Sequence, residues 1–366
     1  MKLVITGADG FLGWHLRCYF FSHAEIDVVS LGRDDFADIS KREAAVASAD
    51  AIVHLAGMNR GDDQELYETN KRLMEELLAA CETTQAKPHI IFSSSTHVAR
   101  DTAYGKSKRE AGERLLAWAA AQGTPACVLI LPNIFGEDAQ PQYNSAVATF
   151  CYDLATGKES VVNVAAAVTL IHAQDVARLI HEAISARAAG EQRVAGTDTT
   201  IGTVHAKLKD FFEQYSHDLF PLLATPFDLA LFNTLRSALY AHGFYPRPLA
   251  ARSDDRGQLF EAVKQRGGGQ MFFSHTKLGF TRGNHYHGRK IERFCVIAGT
   301  GEIAIRKLFS DTVDRFVVSG DAPVFIDMPT FYSHTVTNTG TEDLITLFWC
   351  NELFDPADPD TFPDSI

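Results

Sequence analysis

Lys2-Leu-Val-Ile-Thr-Gly7-Ala-Asp-Gly10-Phe-Leu-Gly13 is the stretch that decides the fold. A short run of strand character enters three spaced glycines and leaves as a helical pattern over Phe11–Phe20. Such glycines let the backbone pass close to a pyrophosphate, with its oxygens at the amino end of the next helix. Glycine turns are common, so the pattern counts for little alone. Here it stands on the first strand of a regular alternation. Strands are expected at Lys2–Thr6, Asp27–Leu31, Ala51–Leu55, His89–Ser93 and Ala126–Leu131. Helices are expected at Phe11–Phe20, Gln64–Cys81 and Tyr104–Ala121. Strand–helix alternation of this kind predicts an α/β, Rossmann-type, doubly wound parallel sheet.

Chemistry-bearing residues follow in the order such a sheet requires. The second strand runs into Gly32-Arg33, and arginine there suits the 2′-phosphate of NADPH, where an acidic residue would suit NAD. Ala56-Gly57 after the third strand lets backbone approach the cofactor. The fourth strand ends in Ser93-Ser94-Ser95, and Tyr104-Gly-Lys-Ser-Lys108 comes next. Tyrosine and lysine four apart share a helical face. A phenol with a free pKa of ~10 needs a neighbouring ammonium and the cofactor's charge to exchange a proton at neutral pH.

Past Tyr245 the texture changes. Pro246 and Pro248 punctuate the chain, and short alternating runs follow at Gln270–His275, Glu292–Ile297, Glu302–Lys307, Arg315–Val318 and Leu344–Phe348. This predicts an all-β barrel or sandwich. Residues 203–241 read as helical, and the domain boundary is placed near 245, giving domains 1–245 and 246–366. The end, Glu352–Ile366, has five acidic and no basic residues and reads as a surface tail. Within the β-rich part, His285-Tyr-His287 precedes Glu292, and His334 lies downstream. Histidines at i and i+2 of a strand point to one side. With a carboxylate and a distant histidine they can close a three-nitrogen, one-oxygen site for zinc or another late transition metal. Arg282, Arg289, Lys290 and Arg293 cluster nearby and could meet a diphosphate.

Composition bounds the rest. A chain of 366 residues has room for two or three domains. With 46% apolar and 22% charged residues it is an ordinary globular composition. A net charge of −12 argues against a nucleic-acid partner or an anionic membrane surface. No apolar run reaches membrane-spanning length. The six cysteines form no CxxC pair, and the start lacks the regions of a signal peptide, so a cytoplasmic protein with reduced thiols is expected.

Residues 1 to about 245 resemble extended short-chain dehydrogenase/reductases of nucleotide sugars, through TGADGFLG, HLAG, FSSS, YGKSK and PNIFG. The resemblance implies Ser95 (or Ser94), Tyr104 and Lys108 as the catalytic set. It implies Gly7, Gly10, Phe11, Leu12, Gly13, Leu55, Ala56 and Gly57, with Arg33, Tyr104 and Lys108, around NADPH, and Ser94 and Asn133 toward substrate. Residues 255–350 resemble cupins, which are jelly-roll barrels. Thr281-Arg-Gly-Asn-His285-Tyr and Asp255-Arg256-Gly-Gln-Leu-Phe-Glu261 are similar to the keto-sugar 3,5-epimerase branch. That branch uses the first motif histidine as a base without metal, whereas His287 and Glu292 restore a metal set. His285 therefore has two competing roles, ligand or base, and Tyr332 is a candidate proton donor. Arg256 and Arg282 are candidate substrate contacts.

The whole chain resembles the CapF family of bifunctional capsular polysaccharide biosynthesis proteins, through IVHLAGMNR, YNSAVATFCYDLATG, GNHYH and WCNELFDPADPDTF. The resemblance implies a UDP-linked 4-keto-6-deoxy amino sugar as substrate, with Asn144 as a further contact. It also implies C3 epimerisation followed by C4 reduction, and the shortened halves point to a homodimer or higher homo-oligomer. The alternatives are a reductase with a non-catalytic metal-binding cupin used for assembly, a metal-dependent oxygenase cupin, and a sugar-nucleotide sensor.

Overall fold

The computed structural model describes residues 1–255 and 257–366. Its contacts divide it into two compact units, Met1–Phe135 with Ala167–Thr199, and Gly136–Ala166 with Thr200–Ile366. The units thus do not follow a single cut near residue 245. Segment 136–166 and the helices of 200–241 gather with the β-rich part of the chain. The helix Ala146–Thr156 lies against Ile201–Ser216 and Pro226–Ala241, with Phe150 meeting His205 at 4.9 Å between ring centres.

The first unit is built on β1 (Lys2–Thr6), α1 (Phe11–Phe21), β2 (Asp27–Leu31), α2 (Arg33–Ala37), α3 (Ile39–Ala47), β3 (Ala51–His54), α4 (Asp63–Thr84), β4 (His89–Ser95), α5 (Ala103–Gln122) and β5 (Ala126–Leu131). Every strand pair in its sheet is parallel, in the order β2-β1-β3-β4-β5 followed by Gly190–Arg193. This is an N-terminal Rossmann fold. Strand residues alternate between two cores. Val4, Ile52, Ile90 and Val128 face Met74, Leu77, Leu115 and Trp118. Leu3, Ile5, Val53, Ile91 and Leu129 face Leu16, Phe20, Val176 and Ile180. Each such buried side chain contributes about 1.5–3 kcal/mol. The strand order reverses at β1, which puts the switch point, where α/β sheets bind ligands, at the carboxyl ends of β1 and β3.

The β-rich part of the second unit holds two five-stranded antiparallel sheets. One runs Arg247–Pro248, Val324–Met328, Glu292–Ala298, Leu344–Cys350, Gln270–Thr276. The other runs Val313–Ser319, Thr300–Lys307, Tyr332–Asn338, Thr281–Tyr286, Phe362–Pro363. Their inner faces meet where Phe294, packed on its same-sheet neighbour Phe348 at 4.5 Å, touches His334 of the other sheet at 5.4 Å between ring centres. A buried polar knot ties helices of this unit to its own sheet that carries Glu292. The Arg293 guanidinium binds Asp327 through both carboxylate oxygens, at 2.6 and 2.9 Å. Tyr215 bonds both Asp327 and Tyr245. Arg236 reaches Met328 O at 2.6 Å.

The described cysteines are all free and buried. Among the described residues no helix is long and apolar enough to cross a membrane.

Candidate active sites

In the first unit the glycine turn meets the loop after β3. Gly7 has φ +68°, and a Cβ there would lie 2.8 Å from Ala56 N, so only glycine allows this approach. Thr6 Oγ1 accepts from Ala56 N at 3.2 Å and is hydrogen-bonded to His54 Nδ1 at 2.8 Å. Burial and the nearby Lys108 push His54 down to about 3, so it is a neutral spacer at the end of β3. Gly10 caps α1, which opens with Phe11, Leu12 and Gly13, while Leu55 and Ala56 follow β3. Arg33 is the first residue of α2 and is exposed, with Asp34 and Asp35 in the same turn.

The start of α5 is set by Thr102, whose hydroxyl accepts from Gly105 N at 3.1 Å. A Cβ on Gly105 would come 2.4 Å from His97 O, so glycine lets the turn after β4 close onto the helix. Tyr104 therefore sits in the first turn of α5, with Lys108 one turn deeper. Ser95 hydrogen-bonds Tyr104, which lowers the phenol's pKa, but burial is the larger effect and holds it above its usual value. A protonated phenol is the form that can give a proton. Ser94 is buried and its hydroxyl has no hydrogen-bond partner, so Ser95 is the serine placed on Tyr104. Lys108 Nζ donates to Ser93 O at 3.0 Å and lies 4.6 Å from the centre of the Phe92 ring. Burial brings Lys108 down to about 8.

Sequence reasoning missed Asn70. Its amide accepts from Met58 N at 2.7 Å and donates to Met58 O at 2.8 Å and Ser107 Oγ at 3.0 Å. It thus fixes the loop after β3 to α5. The available signal was a single amide in the apolar stripe Leu66, Asn70, Met74, Leu77 of α4. Asn133 is exposed, with its amide 3.4 Å from Thr169 O. Asn144 belongs to the other unit, at a left-handed turn with φ +58°.

The second unit gathers His285, His287, Glu292 and His334, whose ligand atoms lie within 4.8 Å of one another. Glu292 Oε2 is 3.7, 3.1 and 3.3 Å from the Nε2 atoms of His285, His287 and His334. The three histidines hold the Glu292 carboxyl well below its usual range against the opposing effect of burial. Burial takes His334 down to about 4, and its Nε2 is enclosed without a well-aligned hydrogen bond. The Nδ1 atoms bond backbone carbonyls instead, His287 to Asp360 O at 2.6 Å and His334 to Tyr332 O at 3.1 Å. That turns the Nε2 atoms of these two rings toward the cluster, His287 Nε2 within hydrogen-bond distance of Glu292 Oε2 at 3.1 Å. Cys350, directly opposite Glu292 in the sheet, offers its thiol to Glu292 Oε1 at 3.6 Å. Three imidazoles and one carboxylate, with an enclosed nitrogen that makes no well-aligned hydrogen bond, fit a zinc-type dication.

A cavity of about 380 Å³ opens on this cluster, lined among others by Arg282, His285, His287, Glu292, Phe272 and Phe348. Two expectations change here. Tyr332 is not among the lining residues; it lies against Tyr240, 5.2 Å between ring centres. The basic cluster is not a free patch either. Arg293 is sealed against Asp327, and Arg289 is paired with Glu352 and Asp358. Of the four only Arg282 and Lys290 reach the cavity wall. Arg256, a candidate substrate contact, lies outside the described residues.

Known proteins align with this two-site chain from end to end. A curated relative from Pseudomonas aeruginosa, "UDP-2-acetamido-2,6-beta-L-arabino-hexul-4-ose reductase", is 31% identical over 100% of this chain and 99% of its own. The crystal structure of capsular polysaccharide assembling protein CapF from Staphylococcus aureus is 34% identical, with 100% of both chains covered and a TM-score of 0.65. The chain belongs to the CapF family. Residues 3–197 match the NAD dependent epimerase/dehydratase family, and residues 252–362 match the polysaccharide biosynthesis C-terminal domain. RMD from Pseudomonas aeruginosa, solved with NADPH, is 18% identical over 66% of this chain and 99% of its own, with a TM-score of 0.57. That likeness is one of fold. In CapF-family terms, the Ser95–Tyr104–Lys108 set lies in the epimerase/dehydratase match and the histidine cluster in the C-terminal match.

Proposed function

We propose that this chain is a bifunctional nucleotide-sugar enzyme. Its C-terminal part, a cupin, inverts C3 of a UDP-linked 2-acetamido-2,6-dideoxy-hexos-4-ulose. Its N-terminal part, a short-chain reductase, then reduces the C4 ketone with NADPH to a UDP-N-acetyl-6-deoxy-talosamine type product, a precursor of N-acetyl-L-fucosamine for surface polysaccharide. The observation that carries this reading is the presence, in one chain, of a serine–tyrosine–lysine set and a three-histidine carboxylate site. The 4-ketone in the name of the full-length relative supports it.

Chemistry orders the steps. The C4 ketone acidifies the C3 proton because the resulting carbanion is an enolate. Reduction removes that acidity, so inversion comes first. In the reductase, bound NADPH would supply the hydride. Ser95 would hold the C4 oxygen and Tyr104, kept protonated by burial, would give it a proton. Lys108 would orient Tyr104 and the cofactor, and Arg33 would meet the 2′-phosphate. In the cupin, His285, His287, Glu292 and His334 would hold zinc or another late transition metal, which when bound can polarise a carbonyl. With no metal bound, His285 on the cavity wall is the base. Arg282 on the same wall would meet the substrate's phosphates.

A second reading makes the metal structural and the cupin an assembly module, and one observation favours it: four protein donors around one point match a closed zinc site. Deuterium exchange at C3 by the full chain in D2O without NADPH separates the two. Exchange supports the epimerase, and its absence with the metal bound supports the assembly module. On either reading we place the protein in the cytoplasm as a homodimer or higher homo-oligomer.

A further inference from the structure

The acidic end of the chain is not a surface tail. Phe362 and Pro363 pair antiparallel with Tyr286 and His285. Asp364 N donates to Asn284 O at 3.0 Å, and its carboxylate takes the Arg306 guanidinium at 2.6 Å and the Ser333 hydroxyl. At the centre of this segment Asp360 is only 4% exposed. Its carboxylate accepts from three consecutive backbone N–H groups. Oδ1 takes Gly288 at 3.0 Å, and Oδ2 takes Arg289 at 2.9 Å and Lys290 at 2.6 Å. Its own carbonyl is bonded to His287 Nδ1 at 2.6 Å. Lys290 Nζ adds a bond to Pro359 O at 2.6 Å.

These contacts converge on one element. Residues 288–291 are the loop that joins His287 to Glu292. Three adjacent N–H groups in a tight loop cannot all find partners within it, and buried donors left unpaired are costly. One carboxylate from a remote part of the chain satisfies them together. His287 Nδ1 is bonded to the Asp360 carbonyl and its Nε2 to Glu292 Oε2 at 3.1 Å; in a neutral ring the one N–H, held on Nδ1 by that carbonyl, would leave the Nε2 lone pair to a dication. Asp360 has φ +43°, a left-handed conformation that aspartate and asparagine adopt more readily than most residues. Its carbonyl and carboxylate thus reach the same loop from one residue.

We propose that Asp360 is the positioning residue of the dication site, and that residues 359–364 are a strap fixing the loop between two of its ligands. This rests on the reading of His285, His287, Glu292 and His334 as ligands. The strap sets the tautomer of His287 and the spacing from His287 to Glu292. The C-terminal segment is therefore part of the metal site although it supplies no ligand. Outer partners of this kind typically change metal affinity about 10–100-fold.

The test is chelator competition for zinc on the full chain, with thermal unfolding of the metal-free protein as the fold control. Asp360→Ala is expected to lower zinc affinity about 10–100-fold and to shift the His287 ring ¹⁵N resonances away from the Nδ1–H tautomer. Both variants keep the main-chain carbonyl; Asp360→Asn also keeps the left-handed preference and one of the two side-chain acceptor oxygens, and should fall between Asp360→Ala and wild type. Asp360→Ala with wild-type zinc affinity would overturn the proposal. If Asp360→Ala does not fold, Asp360→Asn decides: reduced affinity supports the strap and wild-type affinity overturns it. If the wild-type chain itself takes up no zinc, the ligand reading fails and the strap proposal fails with it. Zinc uptake by wild type and Asp360→Ala alike removes only the strap.

Discussion

The two sites are assembled in opposite ways. Ser95, Tyr104 and Lys108 come from β4 and α5, consecutive elements of a parallel sheet, and the cap at Thr102 sets their spacing. The histidine site draws on three strands and on a segment beyond the last of them. The first is a local motif that a single turn can place. The second exists only when distant segments converge, so its precision depends on the groups around the ligands. A local site should therefore fail one residue at a time, whereas a convergent site should also fail when its supports are removed.

Replacement of the proton donor should show the largest effect. Tyr104→Phe should lower the rate of C4 reduction about 10²–10⁴-fold while C3 exchange continues at the wild-type rate. Loss of both together would mean the sites are not separable. Next comes the support beneath the cluster. Asp327→Asn leaves the Arg293 guanidinium buried without its counter-ion, and removing one partner of such a pair typically costs about 3–5 kcal/mol. Urea unfolding of the full chain measures this, and an unchanged midpoint would show that the knot does not hold the sheet. The same knot includes Tyr215 and Arg236, so a fragment starting at residue 246 would lose partners of Asp327 and Met328.

A smaller effect belongs to the cofactor rim. Arg33→Ala should weaken NADPH about 10-fold, the order expected for one charge-assisted hydrogen bond, and leave NADH unchanged. Equal losses would remove the 2′-phosphate role. The mildest is a pH limb. Burial lowers Lys108 to about 8, so its ammonium is present below that pH and is lost as pH rises through it. The reduction rate should fall above about pH 8 and hold below it, where a Tyr104 titration alone would keep the rate flat to higher pH.

Much of the first unit was legible because strand and helix periods differ and each strand faces two apolar layers. Lys2–Thr6, Asp27–Leu31 and Ala126–Leu131 fall where the sequence places them, and β3 and β4 shift only at their ends. In the β-rich part the expected runs exist, and the histidines read as strand residues fall on Thr281–Tyr286 and Tyr332–Asn338, except that His287 lies one residue past the first of these strands. The former carries Gly283 at a register irregularity, and the latter is mostly polar although five of its seven residues are buried. The candidate ligand types were readable from His285-Tyr-His287, Glu292 and His334. Asn70, Cys350 and Asp360 were not, because each acts on another side chain or on backbone that folding brings to it. The acidic end misled for the same reason. Asp360 is buried by N–H groups some 70 residues away in sequence, which no local pattern displays.

The most direct test gives the full chain a UDP-linked 2-acetamido-2,6-dideoxy-hexos-4-ulose in D2O, with and without NADPH, and follows products by NMR. Two coupled sites predict deuterium at C3 and a C3-inverted ketone without NADPH, and an inverted, C4-reduced sugar with it. No exchange without NADPH, together with reduction of the uninverted ketone when NADPH is added, would contradict the account.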